Sequence, residues 1–399
     1  MVDKNKIGQN LYALRKKSGI TQDNLAKILN ITPQAISKWE NGISIPDTYL
    51  LPVLSQLYHI PMEALLCVNL NSNVTQDNSN NKVLLPGLKL YTGAPSLIGC
   101  IKSSLHYIGI YVSLGWISAP YAFMLNINDT VSMKGPEFWN DQGCFLSHIG
   151  NCGGIIETLS GWKGEKDISD KRSTAWISIR NAINKGLPCY VWELDKPQYY
   201  LVAGYDDLGY YYFDNDSGNI AGPFPYEALG NSDWGILEIH IIHPGSISDN
   251  LKSVKDIFEY AITIGNPVLY RPNDGYTMGI EAYPVWWNAI ADNTAEYYGC
   301  AYNAAFWSHC KSMAASFLLE AKLRIGIMEE LFDDAIHCYQ NCARSLKKMT
   351  EVYPLIHGVS EVTSEHKDAA IHLLQKAYRQ EQSGLNCIKN ILNEIYKLW

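Results

Sequence analysis

No apolar run in this 399-residue chain reaches the roughly 18 residues that a membrane span requires, so no membrane partner is expected. No secretory leader is read at the start either, because the chain runs polar and helical from Asp3; a cytoplasmic location is the expectation. The ten cysteines, at 67, 100, 144, 152, 189, 300, 310, 338, 342 and 387, contain no C-x-x-C pair. They read mostly as small core hydrophobes in a reducing compartment, and no disulfide framework is expected. Cys144-x3-His148-x3-Cys152 has residue types that zinc accepts but lacks a fourth ligand nearby, so no metal is expected. Neither Gly222-Pro223 nor Gly153-Gly154 has the strand-glycine-helix context or the lysine of a phosphate loop. No cofactor is expected, and no internal repeat is evident.

What is present is enough chain for two or three compact units, with 47% hydrophobic residues to fill their cores. Charge is divided unevenly along it. Residues 1–66 carry seven Lys and Arg against five Asp and Glu, leaving 25 against 35 for the remainder of a chain of net charge −8. A slightly basic head on an acidic body suits a head that meets phosphate and a body that does not.

The best-specified stretch is Thr21 to Gly42, TQDNLAKILNITPQAISKWENG. Two short helical patterns flank a turn at Asn30-Ile31, and the second opens with Thr32 as N-cap and Pro33 at the first helical position, where a missing N–H costs nothing. Ala26, Ile28, Leu29, Ala35, Ile36 and Trp39 supply the apolar faces that lock the two helices together, and Asn41-Gly42 supplies the stop. The remaining side chains of the second helix are free to enter a major groove.

Residues Ile7 to Leu66 resemble the helix-turn-helix domain of the Cro and phage-repressor (Xre) family, through LRKKSGITQ, TPQAISKWENG and the IPD before the fourth helix. The resemblance implies a lambda-repressor-like all-α head in which Gln34, Ser37 and Lys38 face bases and Gln22 and Asn41 contact phosphate. Thr32 at the helix start joins this DNA-facing set, and Arg15 and Glu40 stand where the family forms an internal ion pair. The chemistry is compatible: a Gln amide bonds adenine N6 and N7 and a Lys reaches guanine O6 and N7, each worth roughly 1–3 kcal/mol.

Beyond the head, at residues 1–67, Asn69 to Lys82 (NLNSNVTQDNSNNK) buries too little to order itself and reads as a flexible linker over 68–83. The middle unit, 84–245, opens with a helical stretch from Ala94 to Val112, and a second helix follows a Gly- and aromatic-rich region near Ser173 to Lys185. Four strands are expected at Leu187–Leu194, Tyr199–Gly204, Tyr210–Phe213 and Ile236–Ile242, with Asp206-Asp207-Leu208-Gly209 as a hairpin turn. Helix followed by antiparallel sheet reads as α+β.

This order, with GC-x5-HYIG-x-YVS, KGLPCYVWEL, YLVAGYDDLGYYYFD and WGILEIHII, resembles papain-like cysteine folds, and more narrowly the N-terminal domain of the butirosin-biosynthesis acyltransferase family. In active members a Cys at a helix start attacks an acyl carbonyl, a His on the strand before the GYD turn takes its proton, and an Asp or Asn on the next strand orients that His. Cys100 and Asp214 match by position, but Gln198 or Tyr199 stands where the His belongs. A glutamine is no general base, so the resemblance implies a pocket that has lost catalysis; His106, His148, His240 and His243 are the alternative bases in the unit.

The last unit, 246–399, repeats apolar residues at i, i+3, i+4 near 254–264, 281–291, 302–324, 328–353 and 364–397, the pattern of an antiparallel helical bundle. Trp116, Trp139, Trp162, Trp176, Trp192, Trp234, Trp286, Trp287 and Trp307 put most of the aromatic surface in the body, as core, dimer interface or ligand pocket. The reading is a multidomain transcriptional regulator, a repressor by family habit. Its head binds a palindromic double-stranded operator, and its body dimerises and senses a small molecule or peptide. Two alternatives stand beside it: a live Cys-dependent acyltransferase or amidohydrolase with an autoregulatory head, and an interaction module that controls another regulator.

Overall fold

The computed structural model describes residues 4–29, 31–47, 50–58, 60, 62–66, 75–77, 81–134, 142–266, 275–355 and 363–398. They form two compact units, Met1–Ser113 with Ile149–Ser248, and Leu114–His148 with Asp249–Trp399. This division differs from the linear one that the sequence suggests, because 114–148 groups with the helical unit instead of with the sheet.

The first unit begins with five helices, α1 (Lys4–Lys17), α2 (Gln22–Leu29), α3 (Pro33–Glu40), α4 (Leu51–Leu57) and α5 (Met62–Leu65). Their apolar positions meet in one cluster that includes Ile7, Leu11, Leu25, Leu29, Ile36, Trp39, Leu54 and Leu65. Ile28 is not among them: it lies 41% exposed on the outer side of α2, since only one stripe of an eight-residue helix can face inward. Close approach of α1 to α3 depends on Gly8, where a Cβ would come within 2.4 Å of the Trp39 carbonyl oxygen. Asn30 and Pro61 lie outside the described residues, as do most of those proposed as linker; within that stretch Thr75–Asp77 (β1) pairs antiparallel with Lys82–Leu84 (β2).

The same unit continues with α6 (Ser96–Tyr107). The second unit takes α7 (Leu114–Ala122), β3 (Asn126–Asn128) and α8 (Gln142–Asn151) up to His148, the last three residues of α8 grouping with the first unit. The first unit is completed by β4 (Gly154–Trp162), α9 (Ile168–Asn184), β5 (Cys189–Trp192), β6 (Tyr199–Tyr205), β7 (Gly209–Phe213), β8 (Ile220–Pro225) and β9 (Ile236–Pro244). Its sheet runs β1-β2-β6-β5-β9-β4, with β7 joined to β6 and β8 to β7, every pairing antiparallel. All seven residues of β6 are buried. Both faces of the sheet are covered: a Cβ at Gly154 would meet Leu105 of α6, whereas one at Gly161 would meet Lys171 and Ile168 of α9. Burial on both sides is why the central strands read as unbroken aromatic and β-branched runs instead of alternating ones.

In the second unit, α10 (Asn250–Gly265), β10 (Tyr276–Met278), α11 (Ala282–Ala291), α12 (Tyr297–Ile325), α13 (Glu329–Val352) and α14 (Ser364–Tyr396) follow. The helix α13 packs between α12 and α14, α7 lies on α12, and β3 pairs with β10. Trp116, Phe123, Phe258, Phe317, Phe332 and Tyr339 fill the centre. Inside this apolar core sits an ion pair between Lys311 and Glu381, each no more than 1% exposed. The ammonium also donates to the carbonyls of Met124 at 2.8 Å and Phe123 at 3.2 Å, and Tyr283 donates to Glu381 at 2.6 Å. A buried pair holds its charges only when the remaining donors and acceptors are satisfied in this way. No helix among the described residues is long and apolar enough to cross a membrane.

Candidate nucleic-acid interface

Thr32 caps α3 by accepting from the Ala35 N–H at 3.3 Å, and Pro33 occupies the first helical position. From this start the helix buries Ile36 and Trp39 and turns the opposite side outward. Thr32, Gln34, Lys38 and Asn41 are exposed and Ser37 is half-buried. Among the described residues, no protein group engages the Gln34 amide or the Lys38 ammonium. The Asn41 amide donates to the Ser37 carbonyl at 2.8 Å and to Ser37 Oγ at 3.3 Å, closing the C-terminal end, and Gly42 follows with φ +70°, a left-handed conformation that glycine adopts without penalty.

Behind that face a second layer fixes the helix. The Arg15 guanidinium donates to both oxygens of Glu40, Nε to Oε1 at 2.5 Å and Nη2 to Oε2 at 2.8 Å, while its third nitrogen donates to the Ile20 carbonyl at 2.9 Å. Hydrogen bonding to Glu40 raises the Arg15 pKa above its usual value, against the opposing effect of burial. Gln22, assigned to phosphate by its position, donates to Glu40 Oε2 at 2.7 Å and is half-buried. The resulting Arg15–Glu40–Gln22 chain ties α1, α2 and the end of α3 together, so three side chains from three helices set the pitch of one reading face. The Gln22 bond was not legible in the sequence, because a reach of 18 residues gives no local signal.

The other constellation from the sequence is arranged differently. Cys100 lies in α6 with no exposed surface, and burial pushes its thiol well above the usual range. Of the two candidates for the missing base, Gln198 turns away to donate to the Tyr200 hydroxyl at 2.9 Å, whereas Tyr199 is buried, and its N–H donates to Ser96 Oγ at 3.1 Å. The Tyr199 hydroxyl donates to Glu238 at 3.2 Å; Glu238 accepts from His240 Nε2 at 2.8 Å, and His240 Nδ1 lies 2.9 Å from Thr158 Oγ1. Tyr190 stacks on His240 with ring centroids 4.5 Å apart. Cys100 adds to the electrostatic environment that raises the Tyr190 and Tyr199 pKa values, after the larger effect of burial.

Asp214 is not part of that group. Its carboxylate accepts from the Ser217 N–H at 2.7 Å and hydroxyl at 2.6 Å, bonds that lower its pKa and that close a turn after β7. The neighbouring Asn215 instead donates to the Tyr199 carbonyl at 3.0 Å. Among the other histidines, His106 approaches the Val112 carbonyl at 3.2 Å, His243 approaches Glu157 at 3.0 Å near the surface, and His148 of the second unit donates to the Trp116 carbonyl at 2.5 Å. Glu238, Tyr190 and Thr158 escaped the sequence reading; the alternation of ILEIHII marks a strand but not which of its faces holds a polar pair.

Residues 11–65 match the helix-turn-helix family. The antitoxin PezA of Streptococcus pneumoniae is 35% identical over 54 residues, 14% of this chain, and the chain covers 34% of that protein's length. Both similarities fall on the head, which is an Xre-like helix-turn-helix.

Proposed function

From a helix-turn-helix head with an unencumbered reading face, we propose that the protein is a transcriptional regulator, acting as a repressor, whose body dimerises and senses a small molecule or peptide. The observation that carries the reading is the outward side of α3. Thr32, Gln34, Lys38 and Asn41 are exposed on a helix whose other side is locked by Trp39 and by the Arg15–Glu40–Gln22 chain. Such a helix presents the uncommitted Gln34 amide and Lys38 ammonium to base edges from a fixed backbone, with Thr32 and Asn41 engaged at its two ends. A dimer would place two such helices on half-sites roughly 34 Å apart, so the operator is palindromic. The antitoxin relative is matched over 54 residues, 14% of this chain, so it adds nothing about the body.

The body, in this reading, descends from a papain-like fold and does no acyl chemistry. The helix α6 carrying Cys100 against an antiparallel sheet supports the ancestry. An enclosed, protonated thiol with tyrosine in place of the expected base supports the loss of catalysis. The test begins with selection of duplexes from a random pool by the full-length protein. Recovery of a two-fold-symmetric sequence bound by a dimer, with log affinity falling linearly against log salt, is the expected result. Recovery of no enriched sequence would sink the regulator reading. Alkylation of Cys100 by iodoacetamide, followed against pH by peptide mass spectrometry, tests the second half: fast reaction below pH 8.5 would return the acyltransferase reading to the front.

A further inference from the structure

The second unit contains a half-open cavity of about 420 Å³ between the end of α10, the turn Gly279–Glu281 before α11, and α14. Its volume falls in the range that small-molecule sites occupy, roughly 300–1,000 Å³. Ile280 and Leu385 give it an apolar surface, and Gln382 and Asn386 bring two amides from successive turns of α14. The feature that selects a ligand is a pair of opposite charges. Glu281 and Lys389 both line the cavity, and neither has an ion-pair or hydrogen-bond partner among the described residues. Glu281 also stands at the N-cap of α11 without bonding that helix's amides, so its carboxylate is committed to nothing else.

We propose that this cavity binds a zwitterionic amino acid or short peptide, deepening the sensor reading on which it rests. The ligand's ammonium would lie against Glu281, its carboxylate against Lys389, its peptide group against Gln382 and Asn386, and its side chain against Ile280 and Leu385. A ligand with one charge would leave one rim group unanswered; a zwitterion answers both, and two charge-assisted contacts fix its direction in the cavity. Because the walls come from α10, the turn Gly279–Glu281 and α14, an occupant would bridge two helices and the turn that leads into α11, the kind of contact that biases a packing arrangement.

The experiment is isothermal titration of the full-length protein with glycyl-L-leucine, with its N-acetylated and C-amidated forms, and with the twenty free L-amino acids. At least one zwitterion should bind saturably at one per chain, the blocked forms should bind about tenfold or more weakly, and Glu281→Gln and Lys389→Gln should each weaken binding by a similar factor. Both positions are exposed, so the variants should fold as the parent does. Absence of saturable binding by every zwitterion, or binding indifferent to both substitutions, overturns the proposal. Operator affinity measured with and without the bound zwitterion separates it from the sensor reading. Binding that leaves operator affinity unmoved keeps the site and removes its sensing role, whereas an operator response to a metabolite that does not use these residues removes the site and keeps the sensor.

Discussion

The outer face of α3 and the surroundings of Cys100 both carry side chains that the sequence singled out, and they differ in what water can reach. On α3 Gln34 and Lys38 stand open and uncommitted while Ile36 and Trp39 are buried. Around Cys100 the polar groups are the buried ones: Tyr199, Glu238 and His240 are 7%, 9% and 3% exposed, and they satisfy one another. A reading face works by leaving hydrogen-bond capacity unspent until DNA arrives; an enclosed network spends its capacity on its own members. Chemistry-bearing residue types are therefore only half of a site, and access is the other half.

The largest break in this comparison should come from the layer beneath α3. Arg15→Ala leaves the Glu40 carboxylate buried without its cation, and denaturation of the full-length protein followed by head-specific proteolysis should show the head destabilised by about 3–5 kcal/mol. In the second unit His148 gives an effect of about 3 kcal/mol, visible through pH. Burial lowers its pKa to about 4 from the ordinary 6.5. Above pH 6.5 the imidazole is neutral in both folded and unfolded states and costs nothing. As pH falls from 6.5 towards 4 the unfolded chain protonates first, so stability is lost across that window and the loss is complete below it. Urea titrations at pH 7 and pH 4.5 should show the decline in parent protein and a flatter profile in His148→Gln. The smallest effect belongs to Cys100→Ala, which removes one buried sulfur and should cost about 1–2 kcal/mol with operator affinity unchanged, as anisotropy titrations would reveal.

Legibility in the sequence followed range. The cap at Thr32, Pro33 and the stop at Asn41-Gly42 are local signals, and α3 begins and ends where they stand. The long helices of the second unit announce themselves by period, with α14 spanning Ser364–Tyr396 against an expected 364–397. Six strands, β1, β2, β3, β4, β8 and β10, carry no clear strand signal in the sequence, and two of them show why. The β4 segment GIIETLSGW is framed by glycines, and β8, IAGPFP, contains a Gly-Pro pair that looks like a turn, yet both are held by their neighbours β9 and β7. Residues 114–148 carry no mark of the unit they join, because Asn303 bonding the Ser132 carbonyl and Lys311 bonding Met124 span 171 and 187 residues. The same holds for Lys311 with Glu381 and for Tyr199 with Glu238: pairings made by the fold leave no spacing to read.

The central claim is that function resides on the open face of α3, and the measurement that meets it most directly is the affinity of the full-length protein for its selected duplex before and after joint replacement of Gln34 and Lys38 by Ala. Each contact is worth about 1–3 kcal/mol, so affinity should fall by roughly thirtyfold or more, discrimination against a scrambled duplex should collapse, and the melting profile should stay that of the parent. Undiminished affinity and discrimination in the double variant would contradict the account and send the search for the DNA-reading surface elsewhere in the chain.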